Sequence, residues 1–313
     1  MKSNFLNRYP RLKWKLYHTY RFFHTLSEFN TKKSSDMNPT GVLFIGGGDF
    51  KGVGEEFQNY FQNFCGIKPS YKILDIGCGS GRMAVPLTKF LDSGSYRGFD
   101  IFPSGIKWCQ KNISSKYPNF HFTLADIYNK EYNPTGKIEP SKYKFPYDDD
   151  FFDFVFATSV FTHMLPEDLD HYFSEIKRVL KSNGKSFLTF LLLNSISLEL
   201  IESKKSKITF EQNEDNFSLM YKKIPEHTIA YQEKYIRSIY EKYGMKLDPI
   251  KYGSWSGRSN FVSFQDIIIS TKSIWCTIDF DYFLIITKNW FYNTKSLLEN
   301  STVWLSTNTW EFF

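Results

Sequence analysis

Short apolar runs alternate with longer amphipathic segments from residue 71 onward. The apolar runs predict strands at residues 71–76, 95–100, 120–126, 152–157, 185–192, 245–252 and 262–270. The amphipathic segments predict helices at residues 82–91, 104–117, 166–181 and 229–243. Strands that alternate with helices in this way are typical of a parallel sheet covered by helices. The pattern therefore predicts an α/β fold.

Two segments interrupt the alternation. Residues 127–150 contain three prolines and little helical periodicity, which predicts a loop or a short helix in this crossover. Residues 194–228 form a polar insertion before the predicted helix at residue 229. This insertion is long enough to be a lid rather than a simple turn.

The net charge of +6 is carried entirely by the beginning of the chain. Residues 1–36 contain eight Lys or Arg against two acidic residues, and the remaining chain is balanced. A nucleic-acid-binding surface over the main domain is therefore not expected. The four cysteines are far apart and form no CxxC pair, which favours reduced thiols in a cytoplasmic protein without a metal site. Neither a membrane-spanning run nor a secretory signal is expected.

The stretch ILDIGCGSGR at residues 73–82 places glycines at alternate positions directly after an acidic residue. Gly77, Gly79 and Gly81 predict a tight turn against which a nucleotide-like ligand lies, because glycine tolerates positive φ and has no Cβ. A dinucleotide fingerprint would have its last glycine where Arg82 stands. No GK[ST] follows a glycine cluster, which excludes a P-loop.

These residues resemble the first motif of class I S-adenosylmethionine-dependent methyltransferases. The resemblance continues in order through YRGFDI (96–101), LADI (124–127) and FDFVFATSVFTHM (152–164). It implies S-adenosyl-L-methionine as the cofactor and a Rossmann-like, doubly wound, seven-stranded sheet, mostly parallel with an antiparallel last strand. Acidic residues at successive strand ends also agree with the ligand edge of open α/β sheets.

The resemblance further implies a role for each residue of the cofactor site. Asp75 would lie near the methionine part of the cofactor, above the loop of Gly77, Gly79 and Gly81. Asp100 would bind the ribose hydroxyls and Asp126 the adenine amino group. The remaining implied cofactor contacts are Ile101 and Ile127, on the two faces of the adenine, and Ser159, in the turn after the fourth strand.

A narrower resemblance runs from about Phe44 to Ser270. GEEFQNYF, YNPTG, SVFTHM and GSWSGRSNFVSFQDIII together resemble bacterial small-molecule methyltransferases, several of them associated with glycan synthesis. It implies O-methylation of a small hydroxylated acceptor, a sugar or glycan precursor. Two alternatives stay open: N-methylation of a small amine, and a non-catalytic binding module that keeps the cofactor fold at a membrane surface.

His163 follows the fourth strand, where methyl transfer occurs in the family. Its ordinary pKa near 6.5 suits a general base, and a His that only packs or caps the next helix is an equal alternative. Trp255 and Arg258 could hold a sugar ring and an anionic group, or form a turn with an exposed Arg and a Trp lid. The acidic run Asp148–Asp150 is interpreted as a solvated turn, not a metal site.

The predicted domains are a basic N-terminal arm at residues 1–40, a methyltransferase domain at 41–270 and an aromatic-rich tail at 271–313. Residues 11–26, RLKWKLYHTYRFFHTL, read as a basic amphipathic helix. Such a helix can lie on an anionic membrane, which would make the cytoplasmic protein membrane-peripheral. Packing of the helix on the catalytic domain is the alternative.

Overall fold

The computed structural model describes residues 49–273, together with Met37 and Pro39. The strands within these residues are β1 Lys72–Ile76, β2 Ser95–Asp100, β3 Phe120–Leu124, β4 Phe152–Ala157, β5 Leu180–Phe190, β6 Leu192–Leu193, β7 Gln212–Asn213, β8 Phe217–Leu219, β9 Ile229–Gln232, β10 Met245–Leu247 and β11 Asp266–Lys272. The α-helices are α1 Phe50–Tyr60, α2 Ala84–Leu87, α3 Pro103–Cys109, α4 Pro166–Val179, α5 Ser195–Glu202 and α6 Glu233–Lys242.

Seven strands form the main sheet, in the order β3-β2-β1-β4-β5-β11-β10. Neighbours from β3 to β5 are parallel, whereas β11 runs antiparallel to both β5 and β10. The predicted α/β sheet with an antiparallel last strand is therefore confirmed. The order reverses at β1 and β4, so the carboxyl ends of these strands border the crevice where open α/β sheets bind ligands.

The sheet is central because its middle strands are apolar on both faces. Ile73, Leu74 and Ile76 of β1 are completely buried. On one face, the ring of Phe61 directly after α1 contacts the rings of Phe154, Phe156 and Phe187 on β4 and β5. Burying each such ring contributes about 1.5–3 kcal/mol to the free energy of unfolding.

Helix α4 covers the other face as the sequence predicts. Pro166 occupies the first turn, where its missing N–H costs nothing, and Glu167 with Asp168 complements the helix dipole. Leu169, Phe173 and Ile176 are buried along one stripe of the helix. The helix ends at Val179, where the chain turns directly into β5, five residues earlier than the predicted start at residue 185.

The insertion differs most from the predicted elements. The predicted helix 229–243 begins instead as strand β9, because its apolar start pairs with β8 and β6. Strands β6, β9, β8 and β7 form a second, four-stranded sheet. Of its strands, β7 and β8 lie within residues 194–228, which also contain α5. Asn194 caps α5 reciprocally with Ser197. The predicted helix 82–91 is shortened to the four residues of α2, with turns on both sides.

The predictions for the arm and the tail lie outside the described residues, apart from Met37 and Pro39 in the arm and residues 271–273 of the tail. Within the part of the chain that the structure describes, no helix has the length and apolarity needed to cross a membrane. The crossover at residues 127–150 contains a single short 3-10 turn, Pro140–Lys142, in place of a helix. A loop or short helix was the prediction for this segment.

Candidate functional site

The glycine loop follows β1 at the carboxyl edge of the sheet. Gly77, Gly79 and Gly81 have φ values of 76°, 55° and 77°, in the left-handed region that favours glycine. A Cβ on Gly77 would lie 2.4 Å from Val160 Cγ2, and one on Gly81 would lie 2.9 Å from Cys109 Sγ. A Cβ on Gly79 would have no described atom within 4 Å. The missing side chains of Gly77 and Gly81 thus leave room for Val160 and Cys109, whereas the missing side chain of Gly79 leaves the backbone open to a ligand.

Asp100, the last residue of β2, fixes the conformation of this loop. Its Oδ2 accepts a hydrogen bond from the Gly79 N–H at 2.7 Å, and its Oδ1 accepts one from the Phe102 N–H at 2.8 Å. Burial raises the pKa of this carboxyl, and the backbone donors oppose that shift. The carboxylate therefore holds the loop and retains lone pairs for hydroxyl donors, since each oxygen accepts more than one hydrogen bond.

Two buried polar atoms, one at the end of β1 and one in the glycine loop, have no hydrogen-bond partner among the described residues. They are Asp75 Oδ1 and Ser80 Oγ. The other oxygen of Asp75 accepts a hydrogen bond from the Tyr96 hydroxyl at 2.5 Å. Burial raises the pKa of Asp75 to about 8, and the Tyr96 hydrogen bond lowers it in part. Unsatisfied polar atoms in a buried position are costly, which favours a ligand with polar groups there.

The ends of β2 and β3 bring the predicted adenine contacts to one edge. Asp100 and Leu124 pair in register, and the Ala125 N–H donates to the Asp100 carbonyl at 2.9 Å. Asp126 is exposed, whereas Ile127 is buried and Ile101 is half-buried. The structure thus brings the acidic and apolar residues predicted for the cofactor close together, although their contacts with it stay predictions.

Ser159 lies in the turn after β4 in a left-handed conformation, with φ of 59°. Its N–H donates to Thr189 Oγ1 at 2.8 Å, and its hydroxyl accepts from Gln265 Nε2 at 3.0 Å. Thr189 Oγ1 donates in turn to Gln265 Oε1 at 2.6 Å. The sequence gives no signal for Thr189 or Gln265, because they come from β5 and from the loop before β11.

His163 ends the short turn Phe161–His163, and its ring meets the insertion. Its Nδ1 lies 2.9 Å from the carbonyl oxygen of Glu226. A carbonyl can only accept, so the proton is on Nδ1 and Nε2 keeps its lone pair in the neutral ring. Burial lowers the pKa of His163. The neighbouring His227 Nδ1 lies 2.8 Å from Glu131 Oε1, a pair that sequence spacing does not reveal.

Trp255 does not have the open ring face expected for holding a sugar. Its side chain is completely buried, and its indole N–H donates to Asp266 Oδ2 at 2.6 Å. The apolar ring packs in the small cluster of Leu191, Leu193 and Ala230 beneath the insertion, which is why it is inaccessible. A direct contact between Trp255 and an acceptor is therefore contradicted by this geometry.

Arg258 is half-buried at the base of the insertion. Its Nη2 donates to Asn194 Oδ1 at 2.8 Å, and its guanidinium lies 4.3 Å from the centroid of the Tyr252 ring. In the acidic turn before β4, Asp149 pairs with Arg178 at 2.8 Å and Asp150 pairs with Lys272 at 2.7 Å. No group of His, Cys, Asp and Glu suited to a metal ion occurs within the described residues.

The residues of the glycine loop fit the cofactor that the motifs imply. S-adenosylmethionine has an ammonium group, two ribose hydroxyls and an adenine ring. The unpartnered oxygen of Asp75 suits the ammonium group, Asp100 suits the hydroxyls, and the space above Gly79 admits a ligand against the backbone. This fit rests on three structural observations: the unpartnered Asp75 oxygen, the hydrogen bond between Gly79 and Asp100, and the open space at Gly79.

Comparison with known proteins agrees with this geometry. A family model described as a methyltransferase domain matches residues 74–188. The phthiotriol/phenolphthiotriol dimycocerosates methyltransferase of Mycobacterium leprae is 32% identical over 113 residues, which are 36% of this chain and 35% of that protein. The sterol 24-C-methyltransferase ERG6B of Gibberella zeae is 27% identical over 169 residues, 53% of this chain and 39% of that protein.

A crystal structure of a protein from Pyrococcus horikoshii has the same fold, with a TM-score of 0.50 and 16% identity over 78% of this chain and 97% of that one. In contrast, the matched part of this chain spans well under half the length of each of the two methyltransferases from Mycobacterium leprae and Gibberella zeae. Residues 74–188, which match the methyltransferase family model, contain the glycine loop, Asp100, Asp126 and the turn of His163.

Proposed function

We propose that the chain transfers methyl groups to a small hydroxylated acceptor, because residues 74–188 form a class I S-adenosylmethionine-dependent methyltransferase domain. The observation that carries the proposal is the hydrogen bond from Gly79 to Asp100 beneath open space. This arrangement holds backbone and a carboxylate ready for a ligand at the carboxyl edge of the sheet. Preorganised groups cost no rearrangement when the ligand binds.

The bound cofactor supplies an electrophilic methyl group on a sulfonium. Asp75 would orient the amino-acid part of the cofactor, and Asp100 would accept hydrogen bonds from the ribose. Ile101 and Ile127 would enclose the adenine, with Asp126 at its amino group and Ser159 near the reacting end. These roles are supported by the position of the residues at one sheet edge.

His163 would remove the proton from the acceptor hydroxyl. The hydrogen bond from its Nδ1 to the Glu226 carbonyl supports this role, because it leaves Nε2 as the acceptor of a proton. The lowered pKa keeps the ring neutral at pH 7, which is the form that a general base needs. Such a base contributes about 10² to 10⁴ in rate.

The acceptor class rests on different support for each candidate. The sequence resemblance supports a sugar or glycan precursor. The burial of Trp255 counts against it, because the indole ring is not open for a sugar to stack on. One of the two relatives is named for phthiotriol and phenolphthiotriol dimycocerosates, and the other for methylation of a sterol at carbon 24. Only the first name is consistent with a hydroxyl acceptor, because methylation at carbon 24 of a sterol gives no support for O-methylation. Arg258, which donates to Asn194 at the base of the insertion, would be the residue that receives an anionic acceptor.

Formation of S-adenosylhomocysteine from the cofactor tests the proposal. Purified full-length protein would be incubated with a panel of sugar nucleotides, glycans, lipid alcohols, sterols and small amines, and the product measured by mass spectrometry. Turnover with a hydroxylated compound supports O-methylation, whereas turnover with amines alone supports N-methylation. Tight cofactor binding with no turnover on any panel member would favour a non-catalytic module.

Peripheral membrane contact through residues 11–26 is a separate prediction. It is supported by the basic, amphipathic sequence of this segment. The full-length protein should co-sediment with anionic vesicles, and added salt should weaken the association. Deletion of residues 1–36 should abolish sedimentation and preserve cofactor binding. Equal sedimentation with and without these residues would favour packing of the arm on the domain.

A further inference from the structure

The turn Pro225–His227 of the insertion contacts Glu131 in the crossover before β4 and His163 in the turn after β4. His227 Nδ1 lies 2.8 Å from Glu131 Oε1 and 3.0 Å from Glu131 Oε2, so the ring is held by both carboxylate oxygens. The preceding residue, Glu226, accepts the hydrogen bond of His163 Nδ1 on its backbone carbonyl. One three-residue turn therefore joins the crossover before β4 to the turn after it.

Glu131 is itself held firmly. Its N–H donates to Asn129 Oδ1 at 3.0 Å, and Asn129 pairs with Asn133 through two backbone hydrogen bonds. The side chain of Glu131 is 12% exposed and that of His227 is 35% exposed, so the pair is partly shielded from water. Shielded, charge-assisted hydrogen bonds are stronger than exposed ones.

The same crossover contacts His163 directly. The Tyr132 ring lies edge-on to the His163 imidazole, with 5.3 Å between ring centroids. The Tyr221 ring contacts His227 at 4.8 Å between centroids. His163 is thus bounded by Tyr132 on one element and by the Glu226 carbonyl on another, and the Glu131–His227 pair ties those two elements together.

We propose that Glu131 and His227 are positioning residues for His163. Their hydrogen bond holds the Glu226 carbonyl against His163 Nδ1 and so fixes the tautomer whose Nε2 can accept a proton. The inference rests on the proposed function only for its catalytic consequence. The tautomer itself is a property of the folded protein and is measurable without an acceptor.

The chemical reason is that a neutral imidazole has two tautomers, and only the hydrogen bonds around it choose between them. If the turn Pro225–His227 moves, the Glu226 carbonyl no longer selects the proton on Nδ1. The ring then populates the other tautomer, in which Nε2 carries the proton and cannot act as a base.

Nitrogen-15 NMR of the full-length protein with labelled histidine tests the inference above the pKa of His163. His163→Gln identifies the His163 signals by their disappearance. The wild type should show a protonated Nδ1 and an unprotonated Nε2 at this residue. A protonated Nε2 in the wild type would overturn the inference, whatever the enzyme does.

Glu131→Ala and His227→Phe should move the His163 signals toward a mixture of tautomers. Glu131→Gln retains an acceptor and His227→Asn retains a donor, so these conservative variants should restore the wild-type spectrum in large part. His121→Phe is the matched control. His121 lies on β3 and contacts Arg97 on β2, and neither strand contains Glu131, His163 or His227. Wild-type His163 signals in both disruptive variants would overturn the inference.

Kinetics add a second readout once an acceptor is known. Glu131→Ala and His227→Phe should lower kcat by about 10- to 10²-fold, the range expected for misplacement of a catalytic group, with little change in cofactor affinity. The conservative variants should recover most of the rate. If the spectra change as expected but kcat does not, His163 is not the base, and that part of the proposed mechanism fails while the positioning of the ring stands. If no acceptor turns over at all, the proposed function fails, and the spectra still decide the positioning of the ring.

Discussion

The hydroxyl of Tyr96 donates a hydrogen bond of 2.5 Å to Asp75 Oδ2, while Asp75 Oδ1 has no partner among the described residues. Both side chains are buried. One oxygen of the carboxyl is therefore fixed by the protein, and the other is left without a hydrogen bond at the end of β1, two residues before Gly77. Burial raises the pKa of Asp75 to about 8, so the free protein holds this carboxyl largely protonated at pH 7.

Cofactor binding should release a proton at pH 7. A cationic group beside Asp75 stabilises the carboxylate and lowers its pKa, so the proton leaves as the cofactor enters. Calorimetry in two buffers of different ionisation enthalpy should detect release approaching one proton per site, and Asp75→Asn should abolish it. Release that is identical in the variant would assign the proton to another group.

The raised pKa of Asp75 also affects stability in a defined direction. Between its ordinary pKa of 3.8 and about 8, the folded protein holds a proton that the unfolded chain has released. The contribution of Asp75 to the free energy of unfolding therefore falls as the pH rises through this window. Urea denaturation of wild type and Asp75→Asn at pH 5 and 8 should show the smaller pH dependence in the variant.

Asp100→Ala should weaken both the loop and cofactor binding. It leaves the partly buried N–H groups of Gly79 and Phe102 without their acceptor, at about 1 kcal/mol for each hydrogen bond lost. It also removes the acceptor for the ribose, which should lower cofactor affinity at least 10- to 100-fold.

Asp100→Asn separates these two effects, because its oxygen can still accept from one backbone N–H. The exposed Asp215 provides a control, as Asp215→Ala, that should change neither quantity. Thermal unfolding and calorimetric titration measure the two quantities independently. Wild-type affinity in a folded Asp100→Ala protein would remove Asp100 from the cofactor site.

His163→Ala should lower kcat by about 10² to 10⁴ with little change in cofactor affinity, if the acceptor is a hydroxyl. Wild-type kcat should rise with pH through an apparent pKa below 6.5, because burial lowers the pKa of His163 and only the neutral ring accepts a proton. The variant should lack this transition. His121→Ala is the control histidine. An amine acceptor would titrate by itself, so the pH dependence would then survive the substitution.

Trp255→Phe should destabilise the protein by about 1–3 kcal/mol without a specific loss of catalysis. The indole N–H is one of three donors to the buried Asp266, beside the N–H groups of Leu192 and Gly253. Its loss leaves a charge-assisted hydrogen bond unmade. Urea denaturation measures the cost. A changed acceptor KM at unchanged stability would return Trp255 to the acceptor site.

The carboxyl edge of the sheet was predictable because strand period and glycine spacing are local signals. The strand bounds of β1, β2 and β4 agree with the apolar runs to within one residue. Local periodicity and motif order were sufficient for these features.

The acceptor side was not predictable in the same way. Glu131 and His227 are 96 residues apart, and no periodic pattern joins them. The residues from Ile229 to Gln232 were predicted as helix because their spacing is ambiguous, and pairing with β8 decides for strand. Trp255 was misplaced for a related reason, since a Trp in a glycine-rich loop gives no local sign of burial beneath the insertion.

The pair Gly79 and Gly66 tests the cofactor site most directly. Both have positive φ, 55° and 63°, and a Cβ on either meets no described atom within 4 Å. Alanine at either position should therefore cost a similar backbone strain of about 1–2 kcal/mol. Gly79 follows β1 at the ligand edge, whereas Gly66 precedes β1.

The decisive measurement is the shift of melting temperature caused by S-adenosylmethionine in wild type, Gly66→Ala and Gly79→Ala. Cofactor at about 100 times its Kd should stabilise the wild type by about 2.7 kcal/mol. The same gain is predicted for Gly66→Ala and little or none for Gly79→Ala, because the added methyl occupies the space of the cofactor. No response in the wild type, or an equal response in the two variants, would contradict a cofactor site on this loop.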